Sequence, residues 1–411
     1  MKKNNKKGFF GKIGDFYQKK IKKSKLKFSM LETVVLMLII FAFGLVIGGV
    51  IMYGKGVYSS SSVSLNEFVS TYNEIVDSYY QEVDKDKLLE AGISGMVRYL
   101  GDPYSTYMSK ETAEDFNEEI EGTYQGIGAE IKYNDKNEPV FGRIFESSPA
   151  EAAGIMENDR LLKVNGEDVT KKTLSDIANI VKGDKGTEVT LTIVHEKEEK
   201  EVVVKRGVVD NISVTSEIIE KNNKKIGYIY ISVFANNTNE QFKKELVKLE
   251  KDNINSLIID VRGNTGGYLT SVEDMIKLFI KKGEVIYQLK TKDKIDIVKD
   301  DTDESRNYPI VVLTDGASAS ASELLAGALK ETYHAKLVGT KTFGKGKVQK
   351  VTTLSSGALF KYTFQEWLTP NGNYIDEKGI EPDVEIKYVY DEKKPEKDNQ
   401  KEKAIEIISK E

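Results

Sequence analysis

The chain has 411 residues, of which 39% are hydrophobic and 30% are charged, proportions typical of a folded protein with two or three domains. It contains no cysteine, which excludes disulfides, a thiolate nucleophile and cysteine-ligated metals. Residues 1–30 carry eleven lysines and one acid, a local charge of +10, so the remaining chain carries −15 of the total of −5. A basic arm on an acidic body argues against nucleic acid as a partner.

An uncharged segment follows the basic arm. Thr33 to Gly54 comprises 22 residues without a charge, about the length that spans a bilayer as a helix. The lysines before it predict a cytoplasmic N-terminus and place the bulk of the chain outside the cytoplasm. A cleaved signal peptide is the alternative, although no Ala-x-Ala site follows the segment. We therefore expect residues 31–54 to be a retained single-pass anchor in the cell membrane.

Residues 55–110 show helical patterns after a polar hinge at 59–64. Apolar residues recur at helical spacing from Phe68 to Tyr79 and again from Leu88 to Val97. The turn-forming run Gly101-Asp102-Pro103 ends this region. The pattern predicts two packing helices.

Residues 111–206 predict a small β-rich domain. A strand is expected at 130–133, a short helix that ends at Gly154, and a longer helix from Leu174 to Val181. A hairpin with strands at 189–195 and 201–205 closes this domain.

From about residue 207 to 385, apolar strands alternate with helices. The expected strands are 226–233, 257–261 and 310–313, and the expected helices are 239–249, 271–280 and 320–333. This alternation indicates an α/β domain in which helices cover a sheet. The charge-dense residues 386–411 are interpreted as a charged tail, either solvated or forming a short docking helix.

Alternating serines and alanines at 318–322 follow the strand at 310–313. Small side chains at a helix N-terminus leave backbone N–H groups free to stabilise an oxyanion, so a serine here could act as a nucleophile. Helix capping is the simpler interpretation, because Ser320 and Glu323 have the spacing of a capping box.

A serine nucleophile in this chain needs a base other than histidine. The two histidines, His195 and His334, have no distinctive acid partner nearby in sequence and are expected to be structural. Lys345, between two glycines, could take the serine proton if burial lowered its pKa by roughly 3 units from about 10.4. Gln349 could hold the lysine amine in place. A solvated surface charge is the alternative for this lysine.

A glycine-rich turn, Asp-Val-Arg-Gly-Asn-Thr-Gly-Gly, occupies residues 260–267 after a strand. Its backbone donors could face an anion or an oxyanion, and a plain tight turn is the alternative. It lacks the glycine order and the Gly-Lys-Ser/Thr ending of nucleotide loops, and the chain has no His-Glu-x-x-His metal motif.

Several motifs in order resemble the carboxyl-terminal processing peptidases, also called tail-specific proteases. The resemblance covers nearly everything after the anchor. The motifs are residues 101–107 (Gly-Asp-Pro-Tyr-Ser-Thr-Tyr), 260–267, 318–323, 342–346, 367–372 and 379–383, with residues 111–206 similar to a PDZ domain.

This resemblance implies a role for each matching residue. The nucleophile is Ser320, the middle serine of the run, and the general base is Lys345, 25 residues later. Gln349 orients the lysine, and the backbone amides of Ala321 and Gly267 form the oxyanion hole. The implied core is ClpP/crotonase-like and requires neither ATP nor a metal.

For the PDZ domain, the resemblance implies that Gly126, Ile127 and Gly128 capture the C-terminal carboxylate of a peptide, which adds to the sheet as a strand. Ala129 departs from the pattern, since many PDZ loops carry a bulky apolar residue there. The predicted activity is that of an ATP-independent serine endopeptidase that recognises protein C-termini, with a homodimer as a possible assembly.

Two other functional classes stay open. One is a catalytically inactive PDZ scaffold, against which stands the presence of Ser320, Lys345 and Gln349 together. The other is a crotonase-like acyl-transfer enzyme, which the predicted anchor and PDZ domain disfavour because thioester cofactors are cytoplasmic.

Overall fold

The computed structural model describes residues 34–44, 64–394 and 396–411. Residues 34–44 are helical and exposed, whereas the basic arm, the rest of the predicted anchor and the hinge before Ser64 lie outside the described residues. Within the described ranges, no helix is both long enough and apolar enough to cross a membrane. The anchor at residues 31–54 therefore stays a prediction.

The N-terminal unit ends at Leu88. Its described part contains helix α1 (Leu65–Ser78) and the start of α2 (Lys85–Tyr99), at the positions that the apolar spacing predicted. The hydroxyl of Ser64 caps α1 by accepting the N–H of Glu67 at 3.2 Å.

The second unit, from Leu89 onwards, begins with the rest of α2, strand β1 (Thr106–Met108) and α3 (Lys110–Glu121). The predicted β-rich domain follows, with a sheet in the order β3-β4-β5-β7-β8 and β6 beside β5. Its strands are β2 (Thr123–Gly126), β3 (Ala129–Tyr133), β4 (Pro139–Ile144), β5 (Arg160–Val164), β6 (Glu167–Asp168), β7 (Glu188–His195), β8 (Glu198–Lys205) and β9 (Gly207–Asp210), which pairs with β2. Its helices are α4 (Pro149–Ala152) and α5 (Leu174–Val181).

The remaining elements build the larger body of this unit. They are β10 (Val214–Lys221), β11 (Lys224–Ile231), α6 (Thr238–Lys251), β12 (Ser256–Asp260), α7 (Leu269–Lys277), β13 (Val285–Lys290), β14 (Ile295–Lys299), β15 (Ile310–Thr314), α8 (Ala321–Ala328), β16 (Lys336–Gly339), β17 (Lys347–Thr353), β18 (Leu359–Leu368), β19 (Val384–Glu385) and α9 (Asn399–Ile408). The helix expected at 320–333 is α8 followed by a π-helical turn, Leu329–Tyr333.

A six-stranded sheet in the order β10-β11-β12-β15-β16-β19 lies at the centre of this body. Only β10 is antiparallel to its neighbour, and the other pairings are parallel. Every residue of β12 and β15 is buried, as expected for parallel strands covered on both faces. The predicted α/β architecture is therefore present.

Different helices cover the two faces of the central sheet. On one face, Phe242 of α6, Val272 of α7 and Leu325 of α8 share a core with alternate strand residues. On the other face, Ala404 and Ile408 of α9 pack against strand residues such as Ile258, Val311 and Leu313. Of the two interpretations of the C-terminal segment, the docking helix is the one that the structure has.

A second, five-stranded sheet was not expected from the sequence. It has the order β1-β18-β13-β14, and β17 pairs with β18. Residues 341–346 form a loop that leads into β17, which agrees with the extended approach expected around Lys345. This sheet brings the 101–107 motif, through β1, beside the strands that follow Lys345.

Candidate active site

The three serines of the run have different environments. Ser318 and Ser322 are fully buried, and their hydroxyls donate to the carbonyls of Val261 and Asn264, each at 2.8 Å. Ser320 is partly exposed and immediately precedes α8. Two of the three candidates thus serve to hold the 260–267 turn, and Ser320 is the one that solvent can reach.

Ser320 has an unusual backbone conformation, with φ of 54° and ψ of −112°. L-residues other than asparagine and aspartate rarely adopt positive φ, and such strain persists only where surrounding contacts enforce it. Glu323 supplies one such contact, because its carboxylate accepts the N–H of Ser320 at 2.8 Å. This bond is the part of the predicted capping box in which the glutamate binds back to the cap residue.

The glycine-rich turn at 260–267 lies directly against the serine run. The carbonyl of Asn264 accepts the N–H of Ala319 at 3.0 Å. A Cβ added to Gly266, which has φ of +106°, would lie 2.8 Å from the Cβ of Ser320. Only glycine therefore allows this approach.

The turn and the helix start each carry a backbone donor suited to an oxyanion. The neighbours of Gly267, Gly266 and Tyr268, donate their N–H groups within the fold, as do the two serines that flank Ala321. Among the hydrogen bonds of the described residues, none uses the N–H of Gly267 or Ala321. Their role in an oxyanion hole stays a prediction.

Glu323 joins the serine run at 318–322 to the lysine loop, which is the loop at residues 341–346 that carries Lys345. Its fully buried carboxylate accepts four hydrogen bonds. Oε2 accepts the N–H groups of Ser320 and Lys345, each at 2.8 Å, and Oε1 accepts the hydroxyl of Thr342 at 2.6 Å and the N–H of Gly344 at 2.7 Å. The capping pattern identified Glu323 in the sequence, but its bonds to the lysine loop could not be read there.

The backbone of Lys345 is fixed from both sides. Its N–H binds Glu323, and its carbonyl accepts the indole N–H of Trp367 at 3.1 Å. Gly344 has φ of +93°, and a Cβ there would lie 2.8 Å from the backbone nitrogen of Gly379. The glycine before the lysine is thus required by the close packing of the loop.

The amine of Lys345 lies over an aromatic ring. Its Nζ is 4.8 Å from the ring centroid of Tyr104. Burial lowers the pKa of Lys345 from its ordinary value, and the charge of Lys361 lowers it further, against the opposing influence of Glu323 and Asp102. A lysine with a lowered pKa is the chemistry that a general base requires.

Gln349 lies on β17, opposite Thr363 of β18. Its side-chain amide donates to Oγ1 of Thr363 at 3.5 Å. In the described part of the chain, no hydrogen bond joins Lys345 Nζ to Gln349 or to Ser320. The expectation that Gln349 orients the lysine therefore stays a prediction.

The 101–107 motif contributes to this site. Sequence reasoning identified the motif but did not place it here. The carboxylate of Asp102 accepts the hydroxyl of Ser105 at 2.5 Å and the N–H of Tyr104 at 3.1 Å. Ser105 in turn accepts the N–H of Thr363 at 3.1 Å. The tight turn thus presents Tyr104 to Lys345, a contact that neither the turn signal nor the family motif at 101–107 revealed.

The β-rich domain contains a groove beside residues 126–128, the loop predicted to bind the C-terminal carboxylate of a peptide. Ile127 and Gly128 accept hydrogen bonds from Ala150 and Phe145 through their carbonyls, which fixes the loop after Gly126. Strand β3 is at the edge of its sheet, and a cavity of about 840 Å³ lies between it and α5. Its apolar lining includes Ile127, Ala129, Ile131, Leu174, Ala178 and Val181. An extended peptide could add to this edge.

The two histidines have structural positions, as expected. The Nδ1 of His195 lies 2.6 Å from the carboxylate of buried Asp159 inside the β-rich domain. His334 has a left-handed conformation at the end of the π-helical turn. The acid partner of His195 is 36 residues away in sequence, which concealed it.

Comparison with known proteins agrees with this architecture. The sequence profile of peptidase family S41 matches residues 225–386, that of the PDZ domain matches residues 144–194, and that of the activating protease CtpB N-terminal domain matches residues 52–112.

Carboxy-terminal processing protease CtpB of Bacillus subtilis (strain 168) is 40% identical over 333 residues, which cover 80% of this chain and 69% of the relative. A CtpA-like serine protease of Staphylococcus aureus (strain N315) is 41% identical over 336 residues, which cover 81% of this chain and 66% of the relative. Among solved structures, a photosystem II D1 C-terminal processing protease is 24% identical and superposes with a TM-score of 0.46. The match covers 78% of this chain and 92% of the chain in that structure.

The fold, the profiles and the relatives together define a serine-type peptidase that carries a PDZ domain. The chain belongs to the carboxy-terminal processing proteases of peptidase family S41. The resemblance that the ordered motifs indicated is thereby confirmed.

Proposed function

We propose that this protein is a serine endopeptidase that cleaves substrates with Ser320 as the nucleophile and Lys345 as the general base, without ATP or a metal. One observation carries the proposal: a single buried oxygen of Glu323 accepts the backbone N–H groups of both residues. The lowered pKa of Lys345 and the partial exposure of Ser320 support the same assignment.

The proposed reaction has two stages. Neutral Lys345 takes the hydroxyl proton of Ser320 as Oγ attacks the substrate carbonyl carbon, and the amides of Gly267 and Ala321 stabilise the resulting oxyanion. The lysine ammonium then gives this proton to the leaving amine, and the C–N bond breaks. Water, deprotonated by Lys345, hydrolyses the acyl ester and restores the serine. Gln349 is proposed to orient the lysine amine during these transfers.

The PDZ domain is proposed to select substrates by their C-termini. A peptide would add to the free edge of β3, with an apolar terminal side chain in the groove beside α5 and its carboxylate on the amides of the 126–128 loop. The free strand edge and the apolar lining of the groove support this arrangement. The Bacillus relative is a carboxy-terminal processing protease, which is consistent with this arrangement.

The cellular placement and the core architecture are also proposals. The basic arm and the uncharged residues 33–54 support a cytoplasmic N-terminus, a single-pass anchor and an extracytoplasmic peptidase. The parallel strands β11, β12, β15 and β16 with their covering helices support a ClpP/crotonase-like core. A homodimer and the absence of nucleic-acid partners stay predictions from the sequence.

The test uses the full-length protein in detergent with an unstructured polypeptide that ends in apolar residues. We expect cleavage without ATP, and we expect Ser320→Ala and Lys345→Ala each to abolish it, while Lys350→Ala on the exposed side of β17 serves as the control. Retained cleavage in either active-site variant would refute the dyad. Peptide binding without any cleavage by the unmodified protein would favour the inactive scaffold instead.

A further inference from the structure

The turn that carries Tyr104 is held independently of the serine and lysine loops. Asp102 binds the hydroxyl of Ser105 and the N–H of Tyr104, and Ser105 is joined to Thr363 of β18. Tyr104 itself is half-buried. The backbone of Tyr104 is therefore held by a local hydrogen-bond network, and neither Ser320 nor Lys345 belongs to that network.

The ring of Tyr104 faces the amine of Lys345 at 4.8 Å, within the range of a cation–π interaction. Such a contact attracts the ammonium form of lysine and not the neutral amine. It therefore acts against burial, which favours the neutral form.

Other charged groups act on the same pair. Toward Lys345, Lys361 of β18 disfavours the ammonium, whereas Glu323 of α8 and Asp102 of the turn favour it. Around Tyr104, burial and the nearby carboxylates raise the pKa of the phenol, so the ring stays neutral at physiological pH; these carboxylates are Asp376, Asp102, Glu323 and Glu377. The ring therefore acts through its π face and its apolar bulk.

We propose that Tyr104 is a positioning residue for Lys345: its ring holds the protonated amine and helps to set the pH at which this lysine becomes a base. The proposal rests on the proposed function of Lys345 as the base of the reaction. It gives a role to the 101–107 motif, which belongs neither to the serine run nor to the lysine loop.

The sign of the expected effect follows from the contact. Loss of the ring removes a stabilising partner of the ammonium, so the pKa of Lys345 falls and the acid limb of the activity profile moves to lower pH. A desolvated cation–π contact corresponds to a shift of about one pH unit. Tyr104→Phe keeps the ring and should leave the acid limb in place, whereas Tyr104→Leu should shift it.

The experiment measures how fast a fluorophosphonate labels Ser320 in the full-length protein, as a function of pH. It compares the unmodified protein with Tyr104→Phe, Tyr104→Leu and Tyr107→Leu. Tyr107 is a matched control, because it belongs to the same motif and its hydroxyl contacts Glu90 at 3.4 Å. Thermal unfolding of each variant reports folding, and Tyr104→Met replaces the leucine variant if that variant does not fold.

We expect the acid limb to move to lower pH in Tyr104→Leu alone. A Tyr104→Leu profile that coincides with that of the unmodified protein would overturn the proposal, as would an equal shift in Tyr104→Phe. A purely structural role would lower the rate or the melting temperature without moving the acid limb. Lys345→Ala separates the two proposals: if it is labelled as fast as the unmodified protein, the proposed base is wrong, whatever Tyr104 does.

Discussion

The backbone N–H groups of Ser320 and Lys345 both donate to Oε2 of Glu323, each at 2.8 Å. The two nitrogens are therefore no farther apart than twice that distance. The second oxygen of Glu323 binds Thr342 and Gly344, so one carboxylate holds the strained serine and the whole lysine loop. This relationship makes the proposed dyad depend on a residue that takes no part in the proton transfers.

Replacement of Glu323 by glutamine should therefore damage the site more than its small change in shape suggests. An amide has one acceptor oxygen, so its NH₂ group must face two of the four donors. We expect a loss of about 3 kcal/mol in the free energy of unfolding and, from the displaced groups, a fall of at least about 100-fold in kcat/KM. Urea unfolding and peptide cleavage measure the two effects. The exposed Glu402→Gln on α9 is the control, and unchanged activity in Glu323→Gln would show that the tether is dispensable.

The charge of Lys361 should influence the pH dependence of cleavage. After burial, it is the next cause that lowers the pKa of Lys345. In Lys361→Met the pKa of Lys345 should rise, so the acid limb of kcat/KM should move to higher pH and the rate at neutral pH should fall. Lys361→Arg keeps the charge and should retain the profile. If the methionine and arginine variants behave alike, the effect is one of packing and not of charge.

The groove beside β3 can be blocked from α5. Ala178 lines the groove, whereas the next residue, Asn179, is exposed and does not line it. In Ala178→Phe, we expect the Kd for a peptide with an apolar, free C-terminus to rise by at least about tenfold, equivalent to about 1.4 kcal/mol of lost binding free energy. Asn179→Phe should bind this peptide normally. Equal affinity of the unmodified protein for the C-terminally amidated peptide would contradict carboxylate recognition.

The C-terminal helix is joined to the glycine-rich turn by an ion pair. Arg262, five residues before Gly267, donates to both carboxylate oxygens of Asp398, at 3.0 and 2.6 Å. Burial alone would raise the pKa of Asp398, but its hydrogen bonds from Arg262 and from the start of α9 lower it overall.

Because the pKa of Asp398 is depressed in the folded state, its contribution to stability is present above the unfolded value of about 3.9 and is lost as the pH falls through the folded value. Asp398→Asn should cost about 2 kcal/mol at neutral pH, and the difference from the unmodified protein should shrink on acidification. Urea unfolding at neutral and acidic pH measures this difference. Asp135→Asn, in an exposed turn, is the control, and a difference that does not vary with pH would contradict the ionic origin.

The spacing of apolar residues along the sequence predicted the individual helices and strands that depend on interactions between neighbouring residues. The helix from Leu174 to Val181 has the predicted bounds, and the buried apolar runs of β12 and β15 read as strands of a covered parallel sheet. The serine run also stood out, because small side chains at a helix N-terminus leave backbone N–H groups free to stabilise an oxyanion. Its assignment to Ser320, however, came from the resemblance to a family.

Long-range contacts account for what the sequence did not disclose. Strand β18 has only intermediate burial along most of its length, so its pairing with β1, β13 and β17 leaves no clear apolar pattern. Tyr104 and Lys345 are in contact although their residue numbers differ by 241, and Asp398 binds Arg262 although theirs differ by 136. Such pairs depend on topology, which periodicity and turn chemistry do not encode.

The most direct test of the account is to identify by mass spectrometry which residue a fluorophosphonate modifies, in the unmodified protein and in Lys345→Met. The account predicts one adduct, on Ser320, that forms in the unmodified protein and is lost in the variant that lacks the amine. An adduct on Ser318 or Ser322, or undiminished labelling of Ser320 in Lys345→Met, would contradict it.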